Sequence, residues 1–523
     1  MSTTPARPSS ATRSASDGGD VALKPALVFI GFMGAGKSSA AREAAAALGV
    51  EAVDADKLLA RELGEPIEAF FDREGEPAFR AREEQLTTRV LDDADGTVVA
   101  VGGGALGSER VRAALARHTA VLVDIDLGTA WARAHGHGRP LARDRGAFEA
   151  LHHARAATYE AAADAVVPGF GRGAAARAAT ALRAIPDGHT LLWGTSASGD
   201  YPVWVGPMST APWPAAGRRI VVTDATVADL HAGRVPDATG VIQMPAGEEH
   251  KTLDTAQRVW HALVAQGATR ADHLVALGGG VVGDLAGFCA ATYQRGMPVV
   301  QVPTTLVAQV DSAYGGKTGV DLPEAKNYVG AYHQPAAVLV DGALLETLPQ
   351  AELAAGYAEV VKTALIAGGT LWERIGRGDS VDDAIVLACA RTKLRIVAAD
   401  ERDAGTRQLL NLGHTVGHAI EVVTGYGRYR HGEAVGLGLL AALRLSGAGE
   451  LRETVAGLLA RAGLPTQLDA ADPAEVAAAT VRDKKRTGEH TPFILVDAPG
   501  RVTHGNTVSA ADLLGSVTEL TRR

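Results

Sequence analysis

The chain has 523 residues, more than one hydrophobic core ordinarily supports, so at least two domains are expected. Hydrophobic residues at 46% and charged residues at 21% give the profile of a globular α/β protein. The formal net charge of −9 argues against a nucleic-acid partner, and the two cysteines, Cys289 and Cys389, leave no disulfide framework or cysteine zinc module, so a reducing cytoplasmic setting is expected.

Residues 1–22 are rich in Ser, Thr, Ala and Gly, lack the apolar stretch of a secretory signal, and are expected to form a disordered tail. No run is apolar enough to predict a membrane span, so no membrane partner is expected. Over 23–185, PALVFIGFMGAGKSS reads as a buried strand, a Gly-rich turn and a helix start, and AREAAAALGV continues the helix to a glycine stop. Strand-like VVAVGGG and AVLVDID follow, with Ala-rich helical stretches between them, which predicts a parallel sheet wrapped by helices. The stretch IPDGHTLLWGTSASGDYPVWVG changes texture and marks a junction. Strand–helix alternation restarts at RRIVVTDATVADL and runs through HLVALGGGVVGDLAGF and PVVQVPTTL, giving an α/β domain over 186–345. From 346 to 523 the pattern is mostly helical. VVAVGGGAL and LVALGGGVVG look alike but recur at no fixed period, so they are separate ligand-approach turns and not a repeat.

Gly31-Phe-Met-Gly34-Ala35-Gly36-Lys37-Ser38 is a complete P-loop in the strand-to-helix context that the motif requires. Its backbone N–H groups and helix N-terminus suit phosphates, Lys37 reaches the terminal phosphates, and the Ser38 hydroxyl suits Mg²⁺. A P-loop does not name the acceptor, but the next segment, VDADKLLARELGEPIEAFFDREGEPAFRAREE, resembles shikimate kinase. The resemblance implies ATP with Mg²⁺ on Gly34, Ala35, Gly36, Lys37, Ser38, Ser39 and the lid residue Arg139, with Asp54 and Ser38 supporting Mg²⁺. It gives Asp56 to the attacking hydroxyl, and Arg80, Arg155, Gly102, Gly103 and Gly104 to shikimate; Lys37, Asp56 and Arg139 are the catalytic group. The chemistry is coherent on its own terms, since a carboxylate can orient a hydroxyl and take its proton while a planar guanidinium matches a carboxylate. Any one of these charged residues, taken singly, would ordinarily be a solvated helix face. The lid AHGHGRPLARDRGA departs from the family in its two histidines, which leaves adenine contacts, including one by Arg133, open.

In the second half, Gly278, Gly280 and Gly283 form a literal G-x-G-x-x-G, but the acidic residue expected roughly twenty positions on is replaced by Asp284 immediately after. An ordinary Rossmann dehydrogenase is therefore not the natural reading. The ordered blocks GEEHK, GGGVVGD, PTTLVAQVDSAYGGKTGVDLPEAKN, AEVVK, NLGHTVGHAIE and HGEAV resemble 3-dehydroquinate synthase over about 245–435. The resemblance implies a Zn²⁺ or Co²⁺ site on Glu359, His414 and His431, a donor set of one carboxylate and two imidazoles. Spacing alone would pair His414 with His418, four residues on, whereas the resemblance gives His418 to substrate.

For NAD⁺ the resemblance implies Asp224, Glu248, Lys251, Gly279, Gly280 and Val281, then Asp284, Thr304, Thr305 and Asp311, with Lys317 and Lys326 beside them. Thr226 stands where Asn is expected. For the substrate it implies Arg295, Lys317, Asn327, Lys362, Lys393, Arg407, Asn411 and His418, with Lys484 or Lys485 joining; of these Lys317, Lys362, Lys393, Arg407 and His418 are the catalytic group. The implied reactions are ATP-dependent phosphorylation of shikimate and conversion of 3-deoxy-D-arabino-heptulosonate 7-phosphate to 3-dehydroquinate plus phosphate. A homodimer through the second half is also implied, with Arg295 reaching the neighbour's substrate. Rival readings are a gluconate-type or nucleotide kinase for the first half and a sugar-phosphate cyclase of secondary metabolism for the second. One half could instead be a catalytically dead module, but Lys37, Asp56, Glu359, His414 and His431 are all in place.

Overall fold

The computed structural model describes residues 24–136, 139–169, 173–469, 471–480 and 492–521. The expected N-terminal tail and both Lys484 and Lys485 lie outside them. The apolar runs of the first half form β1 (Leu27–Ile30), β2 (Ala52–Asp54), β3 (Val98–Ala100), β4 (Thr119–Asp124) and β5 (Ala165–Pro168), parallel in the order β2-β3-β1-β4-β5. β1, β3 and β4 are buried along their whole length, which is why their sequences are continuously apolar and do not alternate.

The junction is a structural element and not a loose linker. Its aromatic segments form a hairpin, β6 (Thr190–Ser196) and β7 (Gly199–Val205), with β6 parallel to β5 through Ala165↔Leu191 and Val166↔Leu192. Beyond it come β8 (Arg219–Asp224), β9 (Ala238–Met244), β10 (His273–Gly278), β11 (Val299–Pro303), β12 (Lys317–Leu322), β13 (Ala325–Tyr332) and β14 (Ala337–Val340). β7 pairs in parallel with β14, so both halves share one twelve-stranded sheet, β2-β3-β1-β4-β5-β6-β7-β14-β11-β10-β8-β9.

Every pairing in that sheet is parallel except β6 with β7. Strand direction therefore reverses once, at the hairpin, and the carboxyl ends of the two sets of strands open on opposite edges. Ligands of parallel α/β sheets bind at carboxyl ends, so a site after β1 and a site after β10 face away from each other.

The remaining chain is largely helical, as expected, with helices Gln350–Ala367, Asp383–Ala399, His414–Val423 and His431–Leu445 surrounding the second site. The expectation of a mostly helical end misses a hairpin, β15 (Phe493–Ala498) and β16 (Arg501–Asn506). It is held to the helices by Val496 N–H on Ser446 Oγ at 2.9 Å and Gly500 N–H on the Leu365 carbonyl at 2.8 Å. One continuous apolar core runs from the first strand, through Leu192 and Val338, into the helical region at Leu437 and Leu513, so the halves are packed together and not merely tethered. A second core lies under β8 and β10 on the nucleotide-fold side. No helix among the described residues is long and apolar enough to cross a membrane.

Candidate active sites

The first site is built on the turn after β1. Gly31, Gly34 and Gly36 have φ of +137°, +79° and +96°, and a Cβ on Gly34 would sit 2.4 Å from the Ala130 carbonyl oxygen, so the loop is possible only with glycine there. Lys37, the first residue of helix Lys37–Leu48, is buried with Nζ on the carbonyls of Gly31 at 3.0 Å and Phe32 at 3.2 Å. Burial lowers its pKa to about 8 even though Asp56 opposes the shift.

Asp54 ends β2 and caps the next helix, accepting from Lys57 N–H at 3.2 Å. Asp56 lies in the first turn of that helix, its pKa raised by burial against the pull of Lys37. The triple glycine after β3 is the floor on which the other groups converge. A Cβ on Gly102 would meet Glu83 Oε1 at 2.3 Å and Asp56 Oδ1 at 2.8 Å, and one on Gly104 would meet Arg80 Nη1 at 2.0 Å. The Gly103 carbonyl accepts from Arg155 Nη1 at 2.7 Å and from the Tyr159 hydroxyl. Arg80 reaches this point because the long helix Ile67–Asp92 breaks at Gly75 (φ 82°), and it is fixed by Glu76 at 3.0 Å and Glu83 at 2.5 Å. Glu83 and Tyr159 are missed by motif reasoning; the only signal for Glu83 is its spacing of three residues from Arg80. Arg139 lies close enough to Lys37 and Asp56 to act on the charge of both. Arg133 donates to the Gly169 carbonyl at 2.8 Å, beside the P-loop.

In the second half the turn after β10 delivers Gly278 and Gly279 to helix Gly280–Thr292. A Cβ on Gly280 would stand 3.1 Å from Ser312 Oγ, and one on Gly279 would stand 2.9 Å from Thr305 Cγ2, so both glycines let the backbone stay close to a neighbouring turn. Val281 follows on the same helix. Thr304 N–H bonds the Gly278 carbonyl at 3.0 Å, and the buried Thr304 Oγ1 has no hydrogen-bond partner among the described residues. A buried orphan hydroxyl beside a glycine turn and a helix N-terminus fits a polar nucleotide ligand. Asp224 ends the neighbouring strand β8 and caps a helix through Val227 N–H at 3.0 Å. Lys251 is buried among Glu248 at 2.8 Å, Asp284 at 3.4 Å and Asp321 at 3.8 Å. Burial raises the Asp284 pKa to about 6, partly offset by Lys251.

The metal candidates come from three helices. Glu359 is buried on helix Gln350–Ala367, while His414 and His431 each begin a helix, with Nε2 atoms 3.6 and 3.4 Å from Glu359 Oε1. One ligand atom from each lies within 4.8 Å of the other two. His414 Nδ1 sits 3.2 Å from the Leu412 carbonyl and His431 Nδ1 sits 3.4 Å from Glu421 Oε1, which turns both Nε2 atoms inward. This arrangement fits Zn²⁺ or Co²⁺. Glu421, buried and missed by the sequence reading, also forms an alternative triple with His418 and His431. The His414 and His418 rings are 5.2 Å apart, so their helical spacing does make them neighbours without making both ligands of one triple.

Above this trio, Lys362 pairs with Glu359 and with Asp311 at 2.8 Å, and Lys393 pairs with Asp311. Against the effect of burial, these lysines hold the Asp311 carboxyl well below its ordinary range. Asp311 sits on a π-helical turn, Ala308–Ser312, of the kind that recurs at functional sites. Lys317 meets Asp403 at 2.6 Å, and buried Arg407 holds the Gly315 carbonyl at 3.1 Å. Lys326 lies 3.4 Å from Glu421 and over the Tyr426 ring, and Asn411 is turned to the Gln408 carbonyl at 3.1 Å. Asn327 (φ 52°) and Arg295 (φ 67°) hold left-handed backbone, and Arg295 is exposed.

A P-loop phosphotransferase unit and a glycine-turn α/β unit with a His₂Glu centre are thus joined through one sheet. The shikimate kinase family profile matches residues 33–185, and the 3-dehydroquinate synthase N-terminal and C-terminal profiles match 241–355 and 356–486. The 3-dehydroquinate synthase of Halorhodospira halophila is 46% identical over 303 residues, 54% of this chain and 85% of that protein. Among solved structures, 2-deoxy-scyllo-inosose synthase complexed with carbaglucose-6-phosphate, NAD⁺ and Co²⁺ aligns at TM-score 0.57 and 25% identity, covering 63% of this chain and 99% of that one. The 2-epi-5-epi-valiolone synthase ValA from Streptomyces hygroscopicus, with NAD⁺ and Zn²⁺ bound, aligns at TM-score 0.57 and 26% identity over 61% and 96%. The chain belongs to the 3-dehydroquinate synthase family and carries a shikimate kinase domain ahead of the synthase, so it combines a kinase with a phosphate-eliminating cyclase.

Proposed function

We propose that the second half, residues 186–523 with an α/β part to 345, converts 3-deoxy-D-arabino-heptulosonate 7-phosphate to 3-dehydroquinate and phosphate with NAD⁺ and Zn²⁺ or Co²⁺. The first half, residues 23–185, phosphorylates shikimate with ATP and Mg²⁺. The observation that carries the synthase reading is the convergence of Glu359, His414 and His431 within 4.8 Å beneath the Lys362–Asp311–Lys393 cluster. The 3-dehydroquinate synthase of Halorhodospira halophila stands at 46% identity, whereas 2-deoxy-scyllo-inosose synthase and ValA stand at 25% and 26%, which supports the dehydroquinate reading.

NAD⁺ and the metal would supply transient oxidation of a substrate hydroxyl and polarisation of the ketone, which acidifies the neighbouring C–H and lets phosphate leave. The chain's own residues bind and orient. Glu359, His414 and His431 hold the metal, and Gly279, Gly280, Val281, Thr304, Thr305 and Asp284 line the nucleotide turn, with Asp224, Glu248, Lys251 and Asp311 beyond it. Lys317, Lys326, Asn327, Lys362, Lys393, Arg407, Asn411 and His418 gather cations and amides for a phosphorylated, carboxylated sugar acid, which explains a lysine-rich pocket in an acidic chain. Arg295, exposed and in left-handed backbone, reaches a second copy's substrate in a homodimer.

In the kinase half Lys37 and Arg139 neutralise transferring phosphate, Ser38 and Asp54 support Mg²⁺, and Asp56 receives the hydroxyl proton. Arg80 and Arg155 take the shikimate carboxylate over the glycine floor. The direct test is phosphate release from the heptulosonate phosphate with NAD⁺ and Zn²⁺ or Co²⁺, beside ATP-dependent phosphorylation of shikimate. A metal-replete, folded chain releasing no phosphate overturns the synthase reading.

A further inference from the structure

Helix Asp383–Ala399 lies between the halves, against β6, and touches both. On one side Lys393 Nζ donates to the Asp311 main-chain carbonyl at 2.7 Å and pairs with its carboxylate, which also takes Lys362 at 2.8 Å. Two residues earlier the helix turns its other face to the kinase half, because successive side chains project about 100° apart. There Arg391 donates from Nη2 to Asp124 Oδ1 at 2.6 Å and from Nη1 to Glu160 Oε1 at 2.8 Å, while Glu160 Oε2 accepts the Thr370 hydroxyl at 2.8 Å.

Asp124 is the last residue of β4, and its side chain is 6% exposed. Its carbonyl accepts Gly169 N–H at 2.6 Å, and a Cβ on Gly169 would stand 2.7 Å from the Ala35 carbonyl of the P-loop, so Asp124 is seated where backbone segments of the kinase half pack closely. Burial alone would raise the Asp124 carboxyl; Arg391 and Arg395 hold it below its ordinary value. Weakening the cation at a buried carboxylate is unfavourable, and Arg391 serves two carboxylates from separate elements, Asp124 buried and Glu160 partly exposed.

We propose that Arg391 is a positioning residue for the cyclase: by clamping its helix to Asp124 and Glu160 it sets where Lys393 meets Asp311, so that the kinase half is a structural wall of the second pocket. The inference rests on the synthase reading above for the role of that pocket. A displacement of about an ångström in such a constellation is enough to cost a large part of the rate.

The test compares Arg391→Met, Arg391→Lys, Asp124→Asn and the Arg391→Met/Asp124→Asn double variant in the full chain. Steady-state phosphate release is read together with amide exchange over residues 308–316. Arg391→Met and Asp124→Asn should each lower the synthase kcat about tenfold, although Asp124 lies in the other half. The double variant should be no worse than either single change, Arg391→Lys should recover part of the loss, and exchange over 308–316 should quicken while β10 and β11 stay protected. Should Asp124→Asn fail to fold, Glu160→Gln, a more exposed partner of the same guanidinium, takes its place. Synthase rates within twofold of wild type in these variants overturn the proposal, as do multiplicative losses in the double variant or loss of protection across the whole second half. If the wild-type chain releases no phosphate at all, the synthase reading fails and exchange over 308–316 alone decides this one.

Discussion

Gly432 follows the proposed ligand His431 on helix His431–Leu445, and its replacement by alanine tests how the metal centre is held together. A Cβ there would lie 1.9 Å from the Ala355 carbonyl oxygen and 2.8 Å from the Ala355 Cα, against a limit near 3.0 Å for real contacts. Ala355 is one turn before Glu359 on helix Gln350–Ala367, so the two backbones would have to part by more than an ångström where His431 Nε2 and Glu359 Oε1 stand 3.4 Å apart. Metal–ligand bonds of about 2.0–2.2 Å tolerate only about 0.2 Å of error. Gly432→Ala should therefore weaken Zn²⁺ binding about 100-fold, or about 3 kcal/mol. It should also lower stability by about 1–3 kcal/mol through overpacking, despite alanine being the better helix former by about 1 kcal/mol. Gly436 on the same helix is the control, because a Cβ there meets the Leu459 methyls at 3.5 and 3.6 Å, an ordinary contact. Gly436→Ala should keep its metal and gain up to about 1 kcal/mol. Competition with a chromogenic chelator gives the affinities and thermal unfolding the stabilities. Zn²⁺ binding by Gly432→Ala within threefold of wild type, or equal damage from Gly436→Ala, would refute the reasoning.

Lys37→Met should abolish shikimate phosphorylation and spare phosphate release. Lys37 has a folded pKa of about 8 against an ordinary 10.5. Between those values the unfolded chain binds a proton that the folded chain lacks, so stability rises with pH across that window and the penalty is fully present below pH 8. Lys37→Met should therefore be the more stable protein at pH 7, by at most about 3 kcal/mol, with the advantage gone near pH 10.5 on urea unfolding. Treatment with a strong chelator followed by excess Mg²⁺ should leave phosphorylation intact and phosphate release low until Zn²⁺ or Co²⁺ is restored; synthase activity after verified metal removal would defeat the ligand assignment. Arg295→Ala and Lys317→Ala chains, each inactive in phosphate release, should recover part of the rate when refolded together. No recovery in mixtures shown by sizing to contain exchanged dimers would place both residues in one subunit's pocket.

Much of this chain was legible from residue order alone. The P-loop and the triple glycine are local, since each is a turn whose geometry is set within a few residues, while the roles given to Asp54, Asp56, Glu359, His414 and His431 came from the family resemblance of the blocks that carry them. What the residue order left undecided lies between elements far apart in the chain. Glu83 and Tyr159 complete the glycine floor, and Glu421 turns His431, yet each looks like an ordinary helical residue until its partner is packed against it. The junction could be located in the sequence but its pairing could not, because strand pairing is a long-range choice: only hydrogen bonds to β5 on one side and β14 on the other make β6 and β7 the seam of one sheet. The same seam reverses strand direction and points the two sites to opposite edges, so the shared sheet provides no direct path from one site to the other. Arg391 and Asp124, 267 residues apart, show the limit most clearly, because a buried charge pair carries no local signature and exists only once the fold has brought both ends out of water together.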